Sequence, residues 1–287
     1  FTHPISLSKF AQDHREGNIS KGASVITFDD GYANNLHQAK PLLEKYDIPA
    51  TVFVATNYVK EAREYWWDDL EQTLLSPGQL PDQLCLKIDN EEHRWDLGPA
   101  AEFSEEQAWN DRRQFPWESQ PGTRMFLYFS VWQKLQESLP QKRQELLKAV
   151  KAWAGDDSTT LRSSHRPMTP EELITFEEGG LMKLGAHTAT HPMLANQSLE
   201  VQRKEIEQSK VDLENMLNHP VKGFAYPFGN FAPETGALVK EAGFDYACAT
   251  VQETVWRKSS AYHLPRVEIT NFNGEELERR LSEWFKN

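Results

Sequence analysis

The chain has 287 residues, enough to bury the core of one large α/β domain, and its 31 Lys+Arg against 43 Asp+Glu leave a net charge of −12. That balance excludes recognition of a phosphate backbone, because no basic surface is available to displace counterions, so nucleic acid is not expected as a partner. Cys85 and Cys248 are too few for a disulfide framework, no apolar run reaches the roughly 20 residues of a membrane span, and with no signal-like segment in the sequence, which starts at Phe1 rather than Met, a cytoplasmic location is the expectation.

In chain order, the first strong element is an apolar strand over 24–28, ending in Thr27-Phe28-Asp29-Asp30-Gly31. Two adjacent carboxylates at a strand end cost desolvation and mutual repulsion, and a cation or a proton-transfer task is the usual reason to keep them. A helix follows with Leu36, Ala39, Leu43 and Tyr46 at helical spacing, and Ile48-Pro49-Ala50 then turns into strand 51–55. These elements make a β-α-β unit.

From 61 to 168 the texture changes. Seven of the nine tryptophans lie here, and helical signals recur, among them Ser138-Leu139-Pro140-Gln141 ahead of Leu146, Leu147, Val150 and Trp153. This stretch reads as a large helical insertion after the second strand, walling the site. Most of its tryptophans read as the insertion's own core. Trp66 and Trp67, in Tyr65-Trp66-Trp67-Asp68-Asp69, are the exception, since aromatic faces beside carboxylates suit a sugar.

The β-α rhythm resumes at Thr169-Pro170-Glu171-Glu172, a capping box with proline at the first helical position. Gly179 and Gly180 close that helix, and strand 182–186 delivers the chain to His187-Thr188-Ala189-Thr190-His191. A polar helix spans 199–217, with Leu199, Ile206, Leu213 and Leu217 as its apolar stripe. Strand 221–226, a helix from Pro233 to Ala242, strand 244–250 with Cys248 as a small core residue, and a last strand near 264–269 complete the chain. Repeated β-α units imply a parallel sheet, and each motif falls at the carboxyl end of a strand, where such sheets bind ligands. A carboxylate with two histidines leaves open positions on a metal for water and substrate, the pattern of a metal-dependent hydrolase. His3, His37, His93 and His165 lack such a context and read as solvent or core histidines.

The Thr27–Gly31, His187–His191 and Tyr226-Pro227-Phe228-Gly229 motifs, in that order, resemble those of the polysaccharide deacetylase family, the NodB-homology or carbohydrate esterase 4 group. The Tyr-Trp-Trp-Asp-Asp and Leu264-Pro265-Arg266 segments resemble members associated with bacterial surface-polysaccharide synthesis. The resemblance covers about 24–60 and 169–270 and implies an α/β fold, a distorted (β/α)7 barrel, forming one catalytic domain over 1–287 with 61–168 inserted in it.

By the same resemblance Asp30, His187 and His191 hold a divalent metal, zinc in the first place with cobalt, nickel or manganese as alternatives. Asp29 is the base toward the metal-bound water, and the Phe228 N–H is an oxyanion donor, held in place by Pro227 and Gly229, which with Tyr226 are expected to line the substrate site. Many members begin the third motif with an arginine that braces the base; here that position is Ala225, and Arg266 is the natural substitute because a guanidinium can hold a carboxylate bidentately. For the general acid, Leu217-Asn218-His219 lies on the wrong connection, and His263 is the better candidate. The implied reaction is removal of an N-acetyl or N-formyl group from an amino sugar of a glycan or glycan precursor, with no obligate protein partner. An O-acetyl esterase, or a carbohydrate-binding pseudo-enzyme disabled by the loss of arginine at 225, stands as the alternative.

Overall fold

The structure is a computed structural model that describes residues 2–111, 113–158 and 161–285. Its contacts divide into two compact units, one of 1–63 with 166–287 and one of 64–165.

The first unit is built on six parallel strands: β1 (Ile26–Phe28), β2 (Ala50–Val54), β3 (Met182–Ala186), β4 (Gly223–Ala225), β5 (Tyr246–Ala249) and β6 (Leu264–Pro265). Their order across the sheet is simply β6-β5-β4-β3-β2-β1, so every strand neighbours the one before it. The residues ahead of β1 add a short parallel pair, His3–Pro4 with Ala23–Ser24. Strand ends are shorter than the sequence patterns suggest, above all at the last strand, where pairing stops at Pro265.

Helices α1 (Leu7–Glu16), α2 (Lys40–Lys45), α3 (Thr56–Glu61), α4 (Pro170–Glu177), α5 (Leu199–Leu217) and α6 (Pro233–Glu241) accompany the sheet, and a last helix, α7 (Gly274–Trp284), buries none of its residues. The capping box at α4 is present in both directions, Glu172 N–H donating to Thr169 Oγ1 at 3.2 Å and Thr169 N–H to Glu172 Oε2 at 2.9 Å.

Strand alternation sorts the side chains into two cores. The outer one packs Val52, Val54, Leu184, Phe224, Ala247 and Ala249 against residues such as Phe176 of α4, Ile206 and Leu213 of α5 and Val239 of α6. The inner one gathers Phe53, Ala225, Tyr246, Cys248 and Leu264 over Leu7 and Ala11 of α1. Each fully buried apolar side chain contributes about 1.5–3 kcal/mol. The inner face closes tightly: a Cβ on Gly185 would meet Phe53 Cδ1 at 2.5 Å, so the aromatic ring has room only because residue 185 lacks a side chain.

A flat sheet of six strands would hold its edges about 24 Å apart. Yet Arg266, just past β6, bonds Asp29, just past β1, at 2.8 Å. The sheet therefore curls into an open, distorted barrel whose two edges are joined by side chains rather than by a strand ladder.

The Glu64–His165 unit is mixed rather than purely helical. It holds helices Trp66–Leu75, Glu105–Asp111, Arg124–Glu137 and Pro140–Ala154, and two antiparallel pairs, Gln83–Ile88 with Glu91–Asp96 and Gly78–Gln79 with Glu102–Phe103. Arg124, 1% exposed, knits it together by donating to the carbonyls of Leu74, Gly78, Ala100 and Ala101. Ser138 does not cap the Pro140–Ala154 helix; its hydroxyl donates instead to the Lys134 carbonyl, closing the helix before it. No helix of the described residues is long and apolar enough to cross a membrane.

Candidate metal centre

The chain leaves β1 through a left-handed turn, Asp30 at φ 71° and Gly31 at φ 80°. Aspartate tolerates this region because its short side chain can bond locally; a Cβ at Gly31 would press on Val54 Cγ2 at 3.1 Å. The turn sets the two carboxylates on different tasks. Asp29 faces Arg266, whose Nη1 and Nη2 donate to Oδ1 and Oδ2, each at 2.8 Å, while Nη1 also reaches Thr27 Oγ1 at 3.0 Å. Asp30 faces the histidines.

His187 extends β3, its N–H donating to the Val54 carbonyl at 2.9 Å. Its Nδ1 lies 2.7 Å from the Ala225 carbonyl, so Nδ1 carries the proton and Nε2 presents a lone pair, the orientation a metal-binding imidazole takes. His187 Nε2 and His191 Nε2 stand 3.7 Å and 3.2 Å from Asp30 Oδ1. Ligand atoms about 2.0–2.2 Å from a tetrahedral ion stand about 3.3–3.5 Å from one another, so these three residues fit a divalent cation. Both rings are buried, and burial holds the His187 pKa down against the opposing pull of Asp29, keeping the ring neutral.

At Asp29, burial alone would raise the carboxyl, but the charges of Arg266 and His187 and the Arg266 hydrogen bonds bring it down to about 2. Arg266 is pushed upward by the same pairing, and burial pushes the neighbouring Cys248 thiol up to about 11, so it stays protonated.

The third motif is the turn Pro227–Gly229. Phe228 sits at φ 57°, and Gly229 at φ 64° is obligatory, since a Cβ there would meet Thr250 Cβ and N at 3.0 Å. The Phe228 ring stands edge-on to His191, centroids 4.6 Å apart.

Other expected residues lie elsewhere. Tyr226 is fully buried in the outer core, its hydroxyl donating to the Tyr262 carbonyl at 2.8 Å and its ring stacked on Phe231, so its side chain offers nothing to a ligand. His263 directly precedes β6 and packs its ring against Phe231, the centroids 4.2 Å apart. His219 pairs with Glu177 of α4. Trp66 is 2% exposed among Trp67, Trp132 and the Arg143 guanidinium, a core residue of its own unit rather than a sugar platform; Trp67 is half-buried and stacks on Tyr65. In that unit Asp68, Glu71 and His165 also gather, but Arg162 Nη1 stands 3.7 Å from Glu71 and supplies a cation already. Thr27 escaped notice in the sequence, although its place two residues before Asp29 put it on the same strand face as that site.

A family model described as polysaccharide deacetylase matches residues 16–84 and 144–247. Among solved structures, the Streptococcus pyogenes deacetylase PplD in complex with acetate aligns at TM-score 0.53 and 18% identity, covering 98% of this chain and 80% of that one. A de-N-acetylase from Aggregatibacter actinomycetemcomitans aligns at 0.54 and 12%, covering 97% and 82%. The BpsB deacetylase domain from Bordetella bronchiseptica aligns at 0.54 and 13%, covering 93% and 78%. No curated protein matches the sequence.

Proposed function

Because the chain belongs to the polysaccharide deacetylase family, whose model spans more than half of it, we propose that it hydrolyses the N-acetyl or N-formyl group of an amino sugar in a glycan or glycan precursor. The observation that carries this reading is the arrangement of two differently tuned carboxylates on one rim: Asp30 within reach of both histidines, and Asp29 gripped by Arg266 with Oδ2 only 4.0 Å from His187 Nε2.

A divalent cation held by Asp30, His187 and His191, zinc first among the candidates, supplies Lewis acidity and a water acidified to near neutral pH. Asp29 accepts the proton of the attacking water. A carboxyl held at about 2 is a weak base, so what Arg266 supplies is position: both oxygens are fixed in plane before substrate arrives. The Phe228 N–H donates to the oxyanion as charge develops on the former carbonyl oxygen. The ring of His263 packs on Phe231, and in this reading the proton taken up by Asp29 goes to the departing amine, since a carboxylic acid of so low a pKa releases it readily. The same carboxylate serves both transfers.

Arg266 also weighs against the pseudo-enzyme reading, whose premise was a base left unbraced at Ala225. The test combines metal content with turnover. The purified chain should carry about one equivalent of a transition metal and the His187→Ala variant little, and N-acylated hexosamine oligomers should release acetate or formate. Asp29→Asn should keep the metal and lose about 10²–10⁴-fold in turnover; substantial remaining activity removes Asp29 as the base.

A further inference from the structure

We infer that Glu205 is a positioning residue for the metal pair: its carboxylate holds the loop between His187 and His191 in shape and so fixes the bite of the two rings. The inference rests on the reading of Asp30, His187 and His191 as ligands.

The buried face of α5 carries Gln202, Glu205, Ile206, Ser209, Asp212 and Leu213, more polar than apolar, whereas Leu199, expected on its apolar stripe, is 54% exposed. Buried polar side chains need partners. Gln202 accepts from Thr235 Oγ1 at 2.7 Å, and Asp212 accepts from Thr56 Oγ1 at 3.1 Å and Lys60 Nζ at 2.9 Å. Glu205, 9% exposed, turns to the histidine loop instead. Its Oε2 accepts the N–H groups of Ala189 at 3.0 Å and Thr190 at 2.8 Å, and its Oε1 accepts the Thr190 hydroxyl at 2.7 Å.

The loop needs such a clamp. Thr188 at φ 64° and His191 at φ 56° occupy the left-handed region, which is unfavourable for both and most so for a β-branched residue. Conformations of this kind persist where the surroundings over-determine them. On the other side of the loop, the Thr56 and Asn57 N–H groups, opening α3, donate to the Thr188 and Ala189 carbonyls at 3.2 Å and 2.9 Å. The peptide units between the two histidines are thus gripped from both sides, by amides on one and by the Glu205 carboxylate on the other. Without that carboxylate, the buried N–H of Ala189 and the part-buried N–H of Thr190 lose their acceptor, and the way for the loop to recover them is to turn, carrying His191 with it. A side chain that touches neither cation nor imidazole then governs how tightly the cation is held.

The full chain and its Glu205→Gln variant should be titrated with zinc against a chromophoric chelator, with Glu207→Gln, on the exposed side of α5, as control. Glutamine keeps the size but offers one acceptor oxygen and sets an NH2 against N–H donors, so zinc should bind about 10–100-fold more weakly, while Glu207→Gln matches the parent. A folded Glu205→Gln protein with the parent's zinc affinity overturns the inference and leaves the metal site standing; a merely structural role would lower its melting temperature and do no more. If Glu205→Gln does not fold, Thr190→Val, which removes one of the three bonds, decides the matter: about 3–10-fold weaker zinc supports the clamp, and unchanged affinity overturns it. A parent chain that binds no zinc defeats the ligand reading itself, and this inference with it.

Discussion

The Nδ1 of His187 lies 2.7 Å from the carbonyl oxygen of Ala225, so the backbone of β4 orients a proposed metal ligand at the position where many family members carry a bracing arginine. The Ala225 side chain itself faces the inner core beside Cys248 and Leu264, fully buried, and the guanidinium that holds Asp29 arrives from the far edge of the sheet. Restoring the family residue should therefore harm the protein. Ala225→Arg places a second guanidinium in an apolar space where the carboxylate is already taken, and should lower the melting temperature by about 5–10 °C. Calorimetry with a parallel activity assay checks this, and a variant both stable and more active would show that Arg266 braces incompletely.

Replacing Arg266 by Met keeps a stem to pack over the Phe53 ring but removes the charge. Burial, the largest influence on Asp29, then acts with less opposition and its pKa rises from about 2. Since the base must be ionised, the acid limb of the kcat/KM profile should move to higher pH, together with a fall in kcat from lost orientation. An acid limb that stays in place would detach Arg266 from the Asp29 titration.

Glu172 governs pH stability at the entry to α4. Hydrogen bonds from Arg166, first, then the Thr169 N–H and His37, outweigh burial and hold its carboxyl at about 2, below the ordinary 4.5. A depressed native pKa contributes stability above the unfolded value and loses it as pH falls toward the native one, so this contribution fades from about pH 4.5 down to about 2. Glu172→Gln should cost about 1–3 kcal/mol at neutral pH and flatten the decline in that window. Denaturant midpoints at pH 7, 4 and 3 for parent and variant provide the comparison.

His263→Gln should leave kcat within about twofold of the parent, because a general acid contributes about 10²–10⁴ and the ring packs against Phe231. A loss of two orders of magnitude would return His263 to the chemistry.

The β-α units and the three rim motifs were legible because apolar runs end abruptly in Asp-Asp-Gly, His-Thr and Tyr-Pro-Phe-Gly, and those ends share one rim. What was hidden turned on strand parity. A shift of one residue moves a side chain to the other face, which puts Tyr226 in the outer core. Glu205 was hidden for another reason: in a chain that is 26% charged, one more glutamate on a polar helix looks solvated. The clue was its place one residue before Ile206, on the stripe that faces the sheet. The hairpin Gln83–Ile88/Glu91–Asp96 left a clue of its own in Asp89-Asn90, both at positive φ, the pair favoured in tight turns.

The side-chain closure of the curled sheet also dates the centre within the life of the molecule. Asp29 and Arg266 are 237 residues apart in sequence, and a ribosome adding about 5–20 residues per second needs on the order of 10–50 s to travel between them. Through that interval the nascent chain exposes Asp29 and Asp30, then His187 and His191, while the guanidinium that steadies Asp29 does not yet exist. Until β6 docks, Asp29 lacks the two hydrogen bonds that fix its carboxylate oxygens. The bracing of Asp29 thus waits on the synthesis of all six strands of the sheet.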